Sequence, residues 1–204
     1  MSQSANTREA RRLATERRIV ACAQELTLEH GLDGFTMDDL AEAAEVSRRT
    51  LFNYFPSKID AVLGGVPQQD DEGVEVFRAG GPTGRLMDDV VHVALRLITD
   101  DDLGRAELER GQRVVASDPK LLAAAHERFE LMVGEYVDVI LAREGEDFGR
   151  SRAQLLIRLV VAIFDSCLPS PLHGARTDAE QAADDRPFEA VFTEQIAAAR
   201  ELFA

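Results

Sequence analysis

Three helix-start signals in close succession, between residues 36 and 60, constrain the fold of this chain more than any other feature. Thr36, Ser47 and Ser57 are all good N-caps, and the first and last are followed three residues later by an aspartate that can complete the capping pattern. The helix that Ser47 starts must end just before Pro56, because proline disfavours helical backbone in the residue before it. The sequence therefore predicts two short helices joined only by Glu45-Val46, which is the arrangement of a helix-turn-helix.

The rest of the chain also has a helical pattern. Apolar residues recur at intervals of three and four, and segments that alternate polar and apolar residues are nearly absent, so we predict an all-α fold. Gly31 closes the first helix, and glycines and prolines between residues 64 and 84 indicate a link between two domains, residues 1–60 and 61–204. The longer helices are predicted at about residues 7–30, 86–98, 103–116, 119–143, 151–168 and from Phe188 to the end.

Composition excludes several classes of protein. Hydrophobic residues make up 45% of the chain and charged residues 29%, so it can bury a real core. No stretch free of Asp, Glu, Lys and Arg approaches the roughly 18–20 apolar residues that span a bilayer, and no apolar segment of a secretory signal follows Met1. We therefore expect a cytoplasmic protein. Cys22 and Cys167 are too few and too far apart for a disulfide framework or a cysteine zinc site.

The distribution of charge matters more than the net charge of −14, which by itself argues against a nucleic-acid partner. Residues 1–60 carry eight Lys or Arg against ten Asp or Glu, so the acidic excess lies mostly in the rest of the chain. Five arginines lie between Arg8 and Arg18, and Arg48, Arg49 and Lys58 form a second basic group. The N-terminal third can therefore offer positive charge to DNA.

Residues 35–58 carry a motif of many spaced positions. It reads FTMDDLAEAAEVSRRTLFNYFPSK, with a threonine that opens a helix, an Ala-x-x-Ala pair, Val-Ser, and an aromatic run that ends in Tyr-Phe before a lysine. This motif resembles the TetR family of transcriptional regulators, and the resemblance covers about residues 15–63. It implies a three-helix DNA-binding domain with a helix-turn-helix, a larger C-terminal helical domain for ligand binding and dimerisation, and duplex DNA, a second copy and a small-molecule effector as partners.

The residue types within this motif suit the contacts that DNA recognition needs. The first residues of a recognition helix meet base edges, where arginine pairs with guanine and asparagine with adenine, which predicts a base-reading role for Arg48, Arg49, Thr50 and Asn53. Side chains at helix starts and flanks meet phosphates and position the domain, which predicts that role for Thr36, Ser47, Tyr54 and Lys58. Phe52 and Phe55 are expected in the core. Arg8, Arg11 and Arg12 could add an N-terminal arm.

One residue departs from the family's pattern. The family commonly has glycine in the turn before Val-Ser, where the backbone is left-handed, and this chain has Glu45. A non-glycine residue in that conformation costs about 1 kcal/mol, so we expect the turn to survive. The carboxylate near the DNA would weaken affinity, and Arg48 and Arg49 would have to outweigh it.

The C-terminal half suggests a ligand pocket and a dimer interface. Aromatic, methionine and cysteine side chains at helical spacing predict an apolar or aromatic pocket of Phe129, Met132, Tyr136, Phe164 and Cys167, although the same pattern also suits a plain core. A helix that is apolar nearly all round must be covered on several sides. We therefore predict a homodimer in which the last two helices form a four-helix bundle through Leu156, Val160, Ile163, Phe188, Phe192 and Ile196.

The function predicted from these features is that of a ligand-responsive repressor, not an enzyme, with no cofactor and no metal. Asp100-Asp101-Asp102 resembles a magnesium-binding cluster, but on an acidic chain such a run is usually a solvated helix end. Asp89 and His92 do not match a di-iron site, which needs a Glu-x-x-His on each of two helices. The alternative is a helical enzyme or a DNA-packaging protein that uses the N-terminal fold without an inducer, and a C-terminal domain without any cavity would favour it.

Overall fold

The computed structural model describes residues 2–65, 71–99, 105–168 and 186–202 of the chain. Within these ranges every regular element is a helix, which confirms the all-α fold class. The α-helices are α1 (Ser2–His30), α2 (Met37–Ala43), α3 (Arg48–Tyr54), α4 (Lys58–Leu63), α5 (Asp71–Arg78), α6 (Leu86–Thr99), α7 (Arg105–Ser117), α8 (Pro119–Glu144), α9 (Arg150–Ser166) and α10 (Phe188–Leu202), with a 3-10 turn at Glu146–Phe148 before α9. The Asp100-Asp101-Asp102 run lies outside the described residues.

The N-terminal helices begin and end where the capping residues predict. Gly31, with φ +78°, closes α1 and donates its N–H to the carbonyl of Thr27 at 2.9 Å. Thr36 forms a capping box at the start of α2: its hydroxyl accepts the N–H of Asp39, and its own N–H donates to the Asp39 carboxylate at 2.8 Å. Ser47 and Ser57 cap α3 and α4 by accepting the backbone N–H three residues further on. These local hydrogen bonds fix two short helices with a tight turn between them.

The chain divides into two compact units, and the first consists of Met1–Val66 and Arg110–His126. Its core joins apolar side chains of α1 to α4 with two from the later segment, the buried Val114 and Leu121. Polar contacts add to this packing, since Arg110 donates to the buried Gln24 at 2.9 Å and Lys120 pairs with Asp33 at 2.8 Å. The end of α7 and the start of α8 therefore belong with the N-terminal helices. The predicted division into residues 1–60 and 61–204 stays a prediction.

The second compact unit consists of Pro67–Glu109 and Glu127–Ala204. One core cluster joins α5, α8 and α9, and another joins α6, α9 and α10. Three aromatic rings interlock in the latter cluster, where the centroid of Phe164 lies 4.9 Å from that of Phe188 and 6.3 Å from that of Phe192. Among the described residues, no helix combines the length and the apolar character that crossing a bilayer requires.

Candidate functional site

Helix α3 presents one side to solvent and one side to the core. Leu51 is fully buried, and residues on the opposite side of a helix must then face outward. The exposed side chains are Arg48, Arg49, Phe52 and Asn53. The structure thus brings three of the four predicted base-reading residues onto one exposed surface, which we call the α3 face. Thr50, the fourth, is half-buried, and its hydroxyl lies 2.7 Å from that of Ser47.

The two arginines of the α3 face differ in their surroundings. Arg48 donates from Nη1 to the carboxylate of Asp38 on α2 at 2.8 Å, and its guanidinium carbon lies 5.6 Å from the centroid of the Phe52 ring. Arg49 has no ion pair or hydrogen bond from its side chain within the described part of the chain. The guanidinium of Arg48 therefore already has partners within the chain, while that of Arg49 is open to an incoming ligand.

Thr36 and Ser47 lie exposed at the starts of α2 and α3, where their hydroxyls serve as helix caps. The hydroxyl of Thr36 lies 2.7 Å from the Asp39 carboxylate, and these hydrogen bonds lower the pKa of Asp39 below its ordinary value. The capping hydrogen bonds hold the hydroxyls of Thr36 and Ser47 at these two helix starts, and Ser47 directly precedes Arg48 of the α3 face. Sequence reasoning assigned them to phosphate contacts, and that role stays a prediction.

Tyr54 and Lys58, the other two residues assigned to phosphates, are part of the domain's packing. Tyr54 is half-buried, with its ring centroid 6.4 Å from that of the buried Phe55. Lys58 donates from Nζ to the carbonyl of Phe35 at 2.6 Å and lies 4.7 Å from the centroid of the Phe35 ring. Lys58 therefore joins the start of α4 to the loop before α2, a structural role that its sequence position did not reveal.

The turn between α2 and α3 adopts the conformation that the family's glycine would favour. Glu45 has φ +51°, the positive value expected at this position. Its N–H donates to the carbonyl of Glu42 at 3.0 Å, and that of Val46 donates to the carbonyl of Ala41 at 2.9 Å. The left-handed residue is thus confirmed, and these two hydrogen bonds close the turn around it.

One expectation about the surface of this unit needs correction. Phe52 was expected in the core, but it is 42% exposed, because the burial of Leu51 turns the next position outward. Arg8, Arg11 and Arg12 lie within helix α1, where Arg12 pairs with Glu16 at 3.3 Å, and their contact with DNA stays a prediction. Phe52 is therefore a further candidate for the interface, since an apolar side chain can contact the methyl group of thymine.

A partly open cavity of about 100 Å³ lies between α5, α6, α8 and α9 of the second unit. Its lining is almost entirely apolar, and it consists of Val74, Phe77, Val90, Val93, Ala94, Met132, Tyr136, Val139, Ile140, Ile157, Val160 and Val161. Two of the five residues predicted for a ligand pocket, Met132 and Tyr136, line it. The contributions of α5 and α6 were missed, because their apolar spacing reads as ordinary core.

The other three predicted pocket residues lie elsewhere in the same unit. Phe129 packs beside the cluster that surrounds the cavity, with the guanidinium of Arg158 6.0 Å from its ring centroid. Phe164 and the buried Cys167 belong to the cluster of α6, α9 and α10. Their assignment to a ligand site stays a prediction.

The residues predicted for the dimer interface are mostly covered by their own chain. Val160, Phe188, Phe192 and Ile196 are buried in the cluster of α6, α9 and α10, while Leu156 and Ile163 are half-buried. The large apolar side chains that α9 and α10 expose are Leu155, Leu159 and Leu202. An amphipathic stripe shows which positions are apolar, but not which neighbour covers them.

A capped pair of short helices, a tight turn and an exposed basic face on the second helix define a helix-turn-helix DNA-binding domain. Comparison with known proteins supports this class. The family model described as bacterial regulatory proteins, tetR family, matches residues 19–60. The HTH-type transcriptional regulator TcmR of Streptomyces glaucescens is 31% identical over 157 residues, which are 74% of this chain and 68% of that protein. The chain belongs to the TetR family of transcriptional regulators.

Proposed function

We propose that the protein is a repressor that binds a palindromic operator as a homodimer and leaves it when a small apolar or aromatic ligand binds. The observation that carries this proposal is the occurrence, in one chain, of an exposed basic α3 face and an apolar cavity in the other compact unit. The alternative is a helical enzyme or a DNA-packaging protein that uses the N-terminal fold without an inducer, and a C-terminal domain without any cavity was expected to favour it.

The side chains proposed to contact DNA divide by chemistry into two roles. Arg49 and Arg48 can each form two hydrogen bonds with guanine O6 and N7, and Asn53 can do the same with adenine. Thr36, Ser47 and Tyr54 carry hydroxyls that would donate to phosphate oxygens, which positions the domain without reading sequence. Arg49 is the side chain whose loss should cost most specificity, because no internal partner competes for it.

The cavity favours a neutral ligand. Burial of a charge among apolar side chains is costly unless the charge is paired, and none of the twelve lining residues is ionised at neutral pH. Drug-sized ligands occupy pockets of about 300–1,000 Å³, so any ligand larger than a single ring must displace the helices around this cavity.

Helix α8 supports a link between ligand and DNA. Met132 and Tyr136 on this helix line the cavity, while Leu121, in its first turn, is buried in the core of the DNA-binding unit. Lys120 adds an ion pair with Asp33 in the loop after α1. A ligand that moves α8 would therefore act on the packing of the N-terminal helices, which gives the effector a physical route to the α3 face.

A second copy of the chain is the partner proposed for the exposed apolar side chains of α9 and α10. Leu155 is 58% exposed, and Leu159 and Leu202 are also exposed. Two DNA-binding units held by such an interface would read two half-sites about one helical turn, or a multiple of it, apart. The interface residues assigned from sequence would then support α9 and α10 from inside each protomer.

The DNA-binding part of the proposal is tested by mobility shift with duplexes from the region that flanks the protein's own gene. Wild type should give a specific band whose affinity falls steeply with salt, because bound phosphates release counterions. Arg49→Ala should lose about 1–3 kcal/mol of discrimination, whereas Arg152→Ala, the same charge change on an exposed position of α9, should retain it. Equal binding to all duplexes would contradict the repressor and would indicate a DNA-packaging role.

The ligand part is tested by thermal unfolding with a panel of neutral one- to three-ring aromatic compounds and their carboxylate derivatives. Neutral compounds should raise the melting temperature, and those that do should release DNA. Ala94→Leu, which fills the cavity, should abolish the shift, while Ala123→Leu on an exposed position of α8 should not. A shift that survives Ala94→Leu would assign the ligand to another site.

A further inference from the structure

Arg48 has an internal partner that the family resemblance does not predict. Its Nη1 lies 2.8 Å from Oδ2 of Asp38, which projects from the first turn of α2, and both side chains are well exposed. Arg49, one position further along α3, has no such partner in the described residues. Of these two neighbouring arginines, Arg48 must therefore give up an ion pair before it contacts DNA, whereas Arg49 need not.

The partner changes what Arg48 gains from each kind of DNA contact. A backbone phosphate offers Arg48 a charge-assisted hydrogen bond, which the Asp38 carboxylate already supplies. When Arg48 exchanges the carboxylate for a phosphate, it gains little binding free energy, and Asp38 is left unpaired near the phosphates. A guanine edge offers two parallel hydrogen bonds to uncharged acceptors, which the single Nη1 contact with Asp38 does not duplicate.

We propose that Asp38 is a specificity-determining residue of this regulator: it competes with phosphates for Arg48, so that Arg48 adds affinity mainly where guanine meets it. Asp38 acts through Arg48 and is in this sense a positioning residue, and the inference rests on the proposed DNA-binding function. Phe52, whose ring lies under the same guanidinium, limits the positions that Arg48 reaches when it leaves Asp38.

The test compares two duplexes of equal length and composition. One carries the sequence that wild type enriches from a random pool, and the other is a scrambled version of it. Dissociation constants are measured by fluorescence anisotropy across a salt series for wild type, Asp38→Asn, Arg48→Ala and the double variant. Asp38→Asn should tighten binding to the scrambled duplex by about fivefold for each recognition helix that contacts it, the upper range of an exposed ion pair.

Two further readouts separate competition from a general charge effect. The log–log salt slope of Asp38→Asn on the scrambled duplex should steepen by about one for each freed arginine, since each gains a phosphate contact. Asp38→Asn should tighten binding to the enriched duplex less than to the scrambled one, so its affinity ratio, enriched over scrambled, should fall severalfold relative to wild type. In the Arg48→Ala background, Asp38→Asn should leave that ratio unchanged, whereas in the Arg49→Ala background it should still lower it.

The outcomes separate this inference from the function on which it rests. An unchanged ratio in Asp38→Asn, or the same fall in the Arg48→Ala background, would overturn the role of Asp38 and leave the DNA-binding function intact. A wild type that enriches no sequence would overturn both. Asp38→Glu, which keeps the carboxylate, should restore most of the ratio, and its failure to do so would also count against competition for Arg48.

Discussion

The buried carboxylate of Asp89 holds together three segments of the second compact unit, and its replacement should be strongly destabilising. Asp89 lies on α6 and is fully buried, and its Oδ1 accepts the N–H of Thr83 at 2.7 Å and the Thr83 hydroxyl at 2.6 Å. Its Oδ2 lies 2.7 Å from Nη2 of Arg143, near the end of α8. The Arg143 guanidinium carbon in turn lies 4.6 Å from the centroid of the Phe77 ring.

The expected loss follows from the burial of Arg143, whose side chain is only 6% exposed. Asp89→Asn removes the buried counter-charge but keeps the shape of the side chain. The buried guanidinium then retains only the pair of its Nε with Glu144 at 2.9 Å, whose carboxylate side chain is 30% exposed. Breaking one partner of a buried ion pair costs about 3–5 kcal/mol. The pair of Arg150 with Asp138 has the same 2.7 Å separation, but these side chains are 57% and 67% exposed, so Asp138→Asn should cost about 1 kcal/mol or less.

The assay is urea unfolding followed by circular dichroism, with the two variants compared under identical conditions. Replacement of both Asp89 and Arg143 by apolar residues of similar volume should recover much of the loss, because no unpaired charge then remains buried. Equal losses for Asp89→Asn and Asp138→Asn would refute the reasoning, since they would mean that burial does not decide the strength of these pairs.

Three further results are expected. Burial by itself would raise the pKa of Asp89, but the hydrogen bonds from Thr83 and the charge of Arg143 outweigh it and hold this pKa below its ordinary value. The stability that ionised Asp89 contributes is therefore complete above about pH 3.9 and is lost as the pH falls through the lower pKa of the folded state, so acid unfolding of Asp89→Asn should lack that step. Glu45→Gly should add about 1 kcal/mol to the free energy of unfolding, because glycine adopts a positive φ without strain, whereas Glu42→Gly inside α2 should lower it by about as much. A change of the same sign for both variants in urea unfolding would contradict this. Leu155→Glu should weaken dimerisation at least tenfold in sedimentation velocity, because it would bury an unpaired charge in the interface, while Leu131→Glu, at an exposed position of α8, should not. Equal dimer affinities of the two variants would exclude α9 from the interface.

The helices around the α3 face could be predicted from the sequence because their boundaries depend on neighbours in the chain. The caps at Thr36, Ser47 and Ser57 bond to backbone groups three residues away, so a short segment of sequence is enough to predict each helix start. Arg49 and Asn53 could be assigned to the exposed surface for a related reason, since the burial of Leu51 fixes the orientation of a helix only seven residues long.

The features that sequence reasoning missed depend on contacts between distant segments. Lys58 bonds to a carbonyl 23 residues away, and Arg110 reaches Gln24 across 86 residues, and no local spacing encodes either partner. The burial of Phe192 inside its own protomer is similar: its helical stripe requires cover, but an apolar stripe cannot distinguish cover by α6 and α9 from cover by a second chain. The cavity likewise depends on four helices whose packing only the fold specifies.

The most direct test of the central claim is the sequence that the full-length protein enriches from a pool of random duplex DNA. We predict an inverted repeat whose half-sites are about one helical turn or a multiple of it apart. In a matched selection with Arg49→Ala, at least one position of each half-site should become degenerate. Enrichment of no sequence, or of an identical repeat by the variant, would contradict an operator read by the α3 face.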